Sequence, residues 1–180
     1  RSPSTATARK MIAAVTRGPG APPGTDGVTT AFQDSTPPIL TVGQVASDQE
    51  EREAFQEVDY RRMFGPMAKW VAQIDRVDRI PEYVARAFST ACAGRPGPVV
   101  LALPEDMLAA EVDVQDAKPF HVVQAHTAPE QIERLRGLLD RAVRPFVLLG
   151  GAGWPPTASR HVCAFVEAER MPAAGAFAPP

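Results

Sequence analysis

Cysteine is scarce, with only Cys92 and Cys163 in 180 residues. They lie far apart with no Cys-x-x-Cys pair, which excludes a disulfide scaffold and a thiolate metal site. Both fall inside apolar helical patterns and read as buried thiols in a reducing compartment. Histidine is nearly as rare, at three residues. His121 and His126 have no acidic or thiol cluster beside them and read as solvated linker residues, not metal ligands. A surplus of one charge is also missing, since 19 basic residues face 21 acidic ones. No broad field is therefore present for nucleic acid or an anionic membrane. The longest apolar runs, Pro98 to Pro104 and Phe146 to Trp154, are far shorter than the roughly 18 residues of a spanning helix. The expected setting is cytoplasmic. No acidic residue precedes Asp26, although Arg1, Arg9, Lys10 and Arg17 do. An organelle transit segment would have this composition. Because Met11 to Thr16 already reads as a strand entering a motif, an interrupted upstream region is the preferred reading. The far end stops in Pro and Ala with no closing element, so both ends read as a piece of something larger.

What is present suffices for a core: Leu, Ile, Val and Phe make up 40 of the 180 residues, with 13 Gly and 19 Pro among the rest. That balance describes a globular chain rich in loops. Ile12 to Thr16 is short, apolar and β-branched and ends at Gly18-Pro-Gly20, a strand running into a turn. Gly27 to Gln33 has helical character, but Pro22, Pro23 and Gly24 put its start in question. Pro37 to Gly43 fits a strand buried on both faces, as in parallel sheets. Ser47 to Arg62 is densely charged and reads as a solvated, mobile loop or helix face.

Ala68 to Ile74 forms a further strand. Ile80 to Ala93 carries a helical stripe of Ile80, Val84, Ala87, Phe88 and Ala91, with Pro81 at its start and Gly94 as its stop. Val99 to Leu103 is the strongest strand in the chain. Strands alternating with helices imply parallel pairing through right-handed crossovers, hence a doubly wound, parallel-sheet α/β fold over residues 1 to 108. Residues 109 to 127 lose periodicity and read as a linker. From 128 to 180 a second, Rossmann-like α/β domain begins. Thr127 is its expected N-cap with Glu130 as partner, and Ile132, Leu135, Leu138 and Leu139 form the apolar face. Pro145 to Leu149 is a strand, Gly150 to Gly153 a turn, and Ala158 to Glu169 a helix.

In an open parallel sheet, ligands gather at the carboxyl ends of strands. Three glycine-bearing segments fall there: Gly18-Pro19-Gly20, Gly43-Gln44-Val45 and Gly150 to Gly153. Glycine lets a backbone approach a flat or phosphorylated ligand closely, and free N–H groups at a following helix favour anions. Gly150 to Gly153 lacks the dinucleotide-fingerprint spacing and reads as a turn. Within the charged loop, Ala54-Phe-Gln-Glu57 stands out. Either Phe55 anchors the loop on the core while Gln56 meets water, or Phe55 walls an apolar pocket and Gln56 offers a ligand a neutral donor and acceptor.

The blocks Thr16-Arg-Gly-Pro-Gly-Ala21, Gly27 to Pro37, Val42-Gly-Gln-Val45, Ala54-Phe-Gln-Glu57 and Gly94 to Asp106 occur in the order and register of thiamine-diphosphate-dependent enzymes. They resemble the acetolactate synthase large subunit: the later half of its pyrimidine-binding domain, then from Pro129 the start of its central domain. The resemblance implies a carboligase or decarboxylase of branched-chain amino acid biosynthesis acting on 2-oxo acids, in a homodimer or tetramer. Thiamine diphosphate is the electron sink there, and Mg2+ is held through a domain with no counterpart in these 180 residues. By position, Gly18, Pro19, Gly20 and Gln56 are cofactor contacts, with Gln56 the catalytic amide beside the thiazolium. Phe55 lines the substrate pocket, and Lys69 matches a basic position near its entrance. The pattern is broken where Pro22 and Pro23 replace Thr-Asn, because Pro23 has no donor or side-chain acceptor. The family's activating glutamate also has no match in residues 1 to 14, which hold no Glu or Asp. The chain alone is therefore expected to be inactive. The alternative is a non-catalytic α/β module that pairs with full-length relatives. FAD or coenzyme A, carried in the central domain of some relatives, finds no support in Gly150 to Gly153.

Overall fold

The computed structural model describes residues 12–121, 126–151, 154 and 156–175. They fall into two compact units, one within residues 9–123 and the other within 124–180. In the first, strand β1 (Ile12–Val15) leads through a short 3-10 turn into helix α1 (Ala21–Gln33), and β2 (Ile39–Gln44) follows. The chain then runs through the charged loop to α2 (Tyr60–Phe64), β3 (Trp70–Gln73), α3 (Ile80–Cys92), β4 (Val99–Pro104) and α4 (Glu105–Ala109). All four strands are parallel in the order β1-β2-β4-β3. The chain is thus the parallel α/β fold that strand and helix alternation implies.

Burial explains the order. β2 and β4 occupy the middle and pair along six residues, from Ile39 opposite Val99 to Gln44 opposite Pro104. Side chains alternate across a strand, so Leu40, Val42, Val100 and Ala102 face one core with Ala21, Val28, Tyr60 and Phe64 of α1 and α2. Ile39, Val99 and Leu101 face the other, with Ala87 and Ala91 of α3, Ile74 and Met107. The sheet is covered on both faces, which is why these strands read as unbroken apolar runs. The edge strand β1 is largely exposed.

The expected elements hold, with adjusted ends. α1 starts at Ala21, six residues before the periodicity makes it evident. Pro22 and Pro23 fall in its first turn, where backbone N–H groups have no helical partner to lose. The charged stretch from Ser47 is not simply solvated, because α2 buries Tyr60 and Phe64. Asp59 caps α2 by accepting from the Arg62 N–H at 3.0 Å.

The second unit holds α5 (Pro129–Asp140), β5 (Val147–Leu149), α6 (Pro156–Ala168) and β6 (Ala173–Gly175), with β5 and β6 parallel. Its N-cap is Ala128, not Thr127, and the Gln131 side chain reaches back to accept from the Ala128 N–H at 3.3 Å. β6 supplies a pairing partner where the Pro- and Ala-rich composition gave no sign of one. The stripe of Ile132, Leu135 and Leu138 forms as expected but remains exposed. Cys92 is half-buried and Cys163 is exposed, against the expectation of two buried thiols, and neither is in a disulfide. His121 and His126 are exposed. The acid-free start before Ile12 and part of the Gly150 to Gly153 turn lie outside the described residues.

Leu101→Ala, at a site 2% exposed, should cost about 2–5 kcal/mol in urea denaturation. Leu135→Ala, on the uncovered stripe, should change stability by less than about 0.5 kcal/mol.

Candidate functional site

The carboxyl ends of β1, β2 and β4 bring four sequence blocks together. Arg17, just after β1, pairs with Glu105, just after β4. Asp106 accepts from the Ser47 N–H at 3.0 Å and the Ser47 Oγ at 3.2 Å, pinning the charged loop where it leaves β2. Gln44 is buried, 5% exposed. Its Nε2 donates to the Val58 carbonyl at 2.9 Å and its Oε1 accepts from the Val45 N–H at 2.9 Å, so it fastens the loop's far end. Glu57 closes the middle by accepting from the Ala54 N–H at 3.1 Å and the Glu51 N–H at 2.6 Å.

This bracing places Gln56 against the glycine turn. Gly18 has a φ of +59°, and a Cβ on it would lie 2.5 Å from Gln56 Cβ. Gln56 itself has a φ of +68°, uncommon for a residue with a side chain, as do Glu51 at +59° and Glu53 at +54°. The site residues Gly18, Pro19, Gly20 and Gln56 thus form one group. A Cβ on Gly20 would meet Thr16 Cγ2 at 2.5 Å. Both glycines are needed by the chain's own packing, whatever approaches the turn from outside.

The donors of this turn are spent or missing. The Gly18 N–H donates to Tyr60 Oη at 3.0 Å, that of Gly20 to the Arg17 carbonyl at 3.4 Å, and that of Ala21 to the Gly18 carbonyl. Pro19, Pro22 and Pro23 have none. The anion-binding helix start that the sequence allowed is therefore not built, and what the turn offers is a compact, uncharged surface.

Phe55 is 81% exposed, so it neither anchors the loop nor walls a pocket within this chain. Lys69 is not brought to the group at all. It precedes β3, and so lies at the opposite, amino edge of the parallel sheet, about 15 Å away along the strands. Its Nζ donates to the carbonyls of Thr90 and Ala93 at 2.5 and 2.6 Å, closing the C-terminus of α3. Burial lowers its pKa, and the neighbouring Cys92 partly opposes this. A cavity of about 470 Å3 beside the loop is lined by Gln44, Glu50, Tyr60, Gln73 and Asp75 among others, but not by Gly18, Phe55 or Gln56. Among the described residues no group of His, Cys, Asp or Glu could hold a metal ion. No helix there is long and apolar enough to cross a membrane.

Sequence reasoning placed Gly43-Gln44-Val45 at this edge but missed the roles of Tyr60 and Asp106 in it. The bonds of Gln44 follow from its burial at the end of an otherwise apolar strand, since buried amides are held by partners.

The fold and this edge define a parallel-sheet α/β unit with a glycine turn at its strand ends, held by Gln56 and Tyr60. No family model matches the chain. Among curated proteins it is 35% identical over 164 residues to a probable acetolactate synthase large subunit of Methanocaldococcus jannaschii, a match covering 87% of this chain and 28% of the relative. It is 33% identical to the acetolactate synthase isozyme 3 large subunit of Escherichia coli K12 over 93% of this chain and 30% of the relative. The acetolactate synthase large subunit of Lactococcus lactis is 33% identical over 78% of this chain and 25% of its own length. The chain is thus similar to the acetolactate synthase large subunit over most of its own length, and it spans under a third of the relatives it matches.

Lys69→Met should cost about 1 kcal/mol of stability through the lost α3 carbonyl contacts while leaving the Gln56 and Gly18 amide NMR signals in place. Desolvation raises the Asp106 pKa, but the Ser47 N–H and hydroxyl bonds, together with the N–H groups of Met107 and of Asp106 itself, outweigh it and hold the pKa below the ordinary value of 3.8. A depressed carboxylate contributes stability above its unfolded pKa and loses it as pH falls through the folded value. The Ser47 amide shift should accordingly be flat near neutrality and titrate with a midpoint below 3.8.

Proposed function

We propose that this chain provides the pyrimidine-facing part of a thiamine-diphosphate site in an acetolactate-synthase-like carboligase or decarboxylase of 2-oxo acids. The observation that carries this reading is the seating of Gln56 on Gly18 at the carboxyl edge of the sheet, next to a turn without free N–H donors. Such a surface suits an uncharged aromatic ring. The names of the relatives support the same reading. Gly18, Pro19 and Gly20 would back the ring, and the Gln56 amide would provide a neutral donor and acceptor toward the reacting end. Thiamine diphosphate supplies the electron sink for decarboxylation and carbon–carbon bond formation when bound. Phe55, exposed here, would line the substrate pocket only once another chain or segment covers it, in keeping with a homodimeric or tetrameric assembly. Lys69 has no part in this group.

Diphosphate and Mg2+ would be held by groups other than the ones described here, because the turn has no donors for them. Isothermal titration with thiamine diphosphate and Mg2+ tests the reading. Weak binding by the 180-residue chain, lost in Gln56→Ala and retained with thiamine in place of its diphosphate, is the expected outcome. Binding that depends on the diphosphate and ignores Gln56 would exclude it. Acetolactate formation from pyruvate by the chain alone should stay at background.

A further inference from the structure

Tyr60 belongs to no part of the reading above. It is 3% exposed, packs against Phe64 with ring centroids 6.1 Å apart, and reaches the glycine turn across 42 positions of sequence. Its hydroxyl oxygen accepts the Gly18 N–H at 3.0 Å. Burial pushes the phenol's pKa up, against the lowering effects of the Gly18 N–H and Arg17, so the group stays neutral at physiological pH. Gly18 is therefore held from two sides. Its Cα face lies against the methylenes of Gln56, and its N–H is fixed by Tyr60. A left-handed glycine has other conformations open to it, and a buried N–H without a partner is costly. The Tyr60 bond is thus the side-chain tie on the backbone of the turn against which Gln56 rests.

We infer that Tyr60 is the positioning residue of this site: its hydroxyl fixes Gly18 in the conformation that seats Gln56. The inference rests on the ring-facing reading for its functional consequence, whereas the pin itself stands independently of it. The sequence gives no hint of this role, because a tyrosine opening a short helix after Asp59 reads as a core aromatic.

Tyr60→Phe tests this in the 180-residue chain. The variant keeps the ring and its contact with Phe64 and removes one oxygen. Amide hydrogen exchange, followed by NMR, should quicken about tenfold at Gly18 while the β2 and β4 amides stay unchanged. Unchanged exchange at Gly18 would overturn the inference, as would a uniform rise at all amides, which would make Tyr60 core filler only. Affinity for thiamine diphosphate with Mg2+, measured well below the melting temperature of either protein, should fall about fivefold in the variant. Equal affinity in both proteins would overturn the positioning role even if Gly18 exchanges faster. A parent chain that binds no thiamine diphosphate but shows the selective Gly18 response would sink the ring-facing reading and leave the pin supported.

Discussion

The pairing of β2 with β4 is the constraint on which the rest of the first unit hangs. Six residues of each strand lie in parallel register, from Ile39 and Val99 at one end to Gln44 and Pro104 at the other. Val42, Val99 and Val100 are fully buried, and Leu101 is nearly so. Parallel register puts both carboxyl ends on one edge, so Gln44 emerges beside Pro104 and the segments that follow are neighbours. The Ser47 bond to Asp106 and the Arg17 pairing with Glu105 follow from that adjacency. Removing apolar volume from this ladder would loosen the loop, the turn and their contacts together.

Once the strand ends are fixed, short polar ties do the positioning. Gln44 holds Val58, Glu57 holds the Glu51 and Ala54 amides, and Tyr60 holds Gly18. Three residues with side chains adopt positive φ between Glu51 and Gln56. Each costs of order 1 kcal/mol, and such conformations persist only where the surroundings over-determine them. A loop with this charge content is soluble in any conformation. Its single shape comes from carboxylates and an amide turned back onto its own backbone.

Helix starts and strand lengths show where local patterns carry information and where they fail. The stripe from Ile80 to Ala91 and the apolar run from Val99 were legible because period and burial coincide there. The start of α1 was obscured by Pro22 and Pro23, residues that oppose helices everywhere except in the first turn. The cap of α5 moved from Thr127 to Ala128 because the Gln131 side chain, not a hydroxyl, meets the free N–H. β6 was invisible in Ala173 to Gly175, since small residues carry no alternation and only pairing with β5 defines the strand.

By itself the sequence determined the alternating parallel architecture and the glycine turn after β1, because apolar runs and breakers survive without coordinates, whereas the grouping of that turn with Gln56 was implied only by the family resemblance. Tertiary structure alone decided what those residues have around them. It set Lys69 at the far edge as a helix cap, left Phe55 exposed, and consumed the turn's N–H groups on Tyr60, Arg17 and Gly18. The physical reason is that a donor's availability depends on which distant acceptor reaches it. In this chain the Gly18 acceptor comes from 42 positions away, a distance over which neither periodicity nor propensity has any hold.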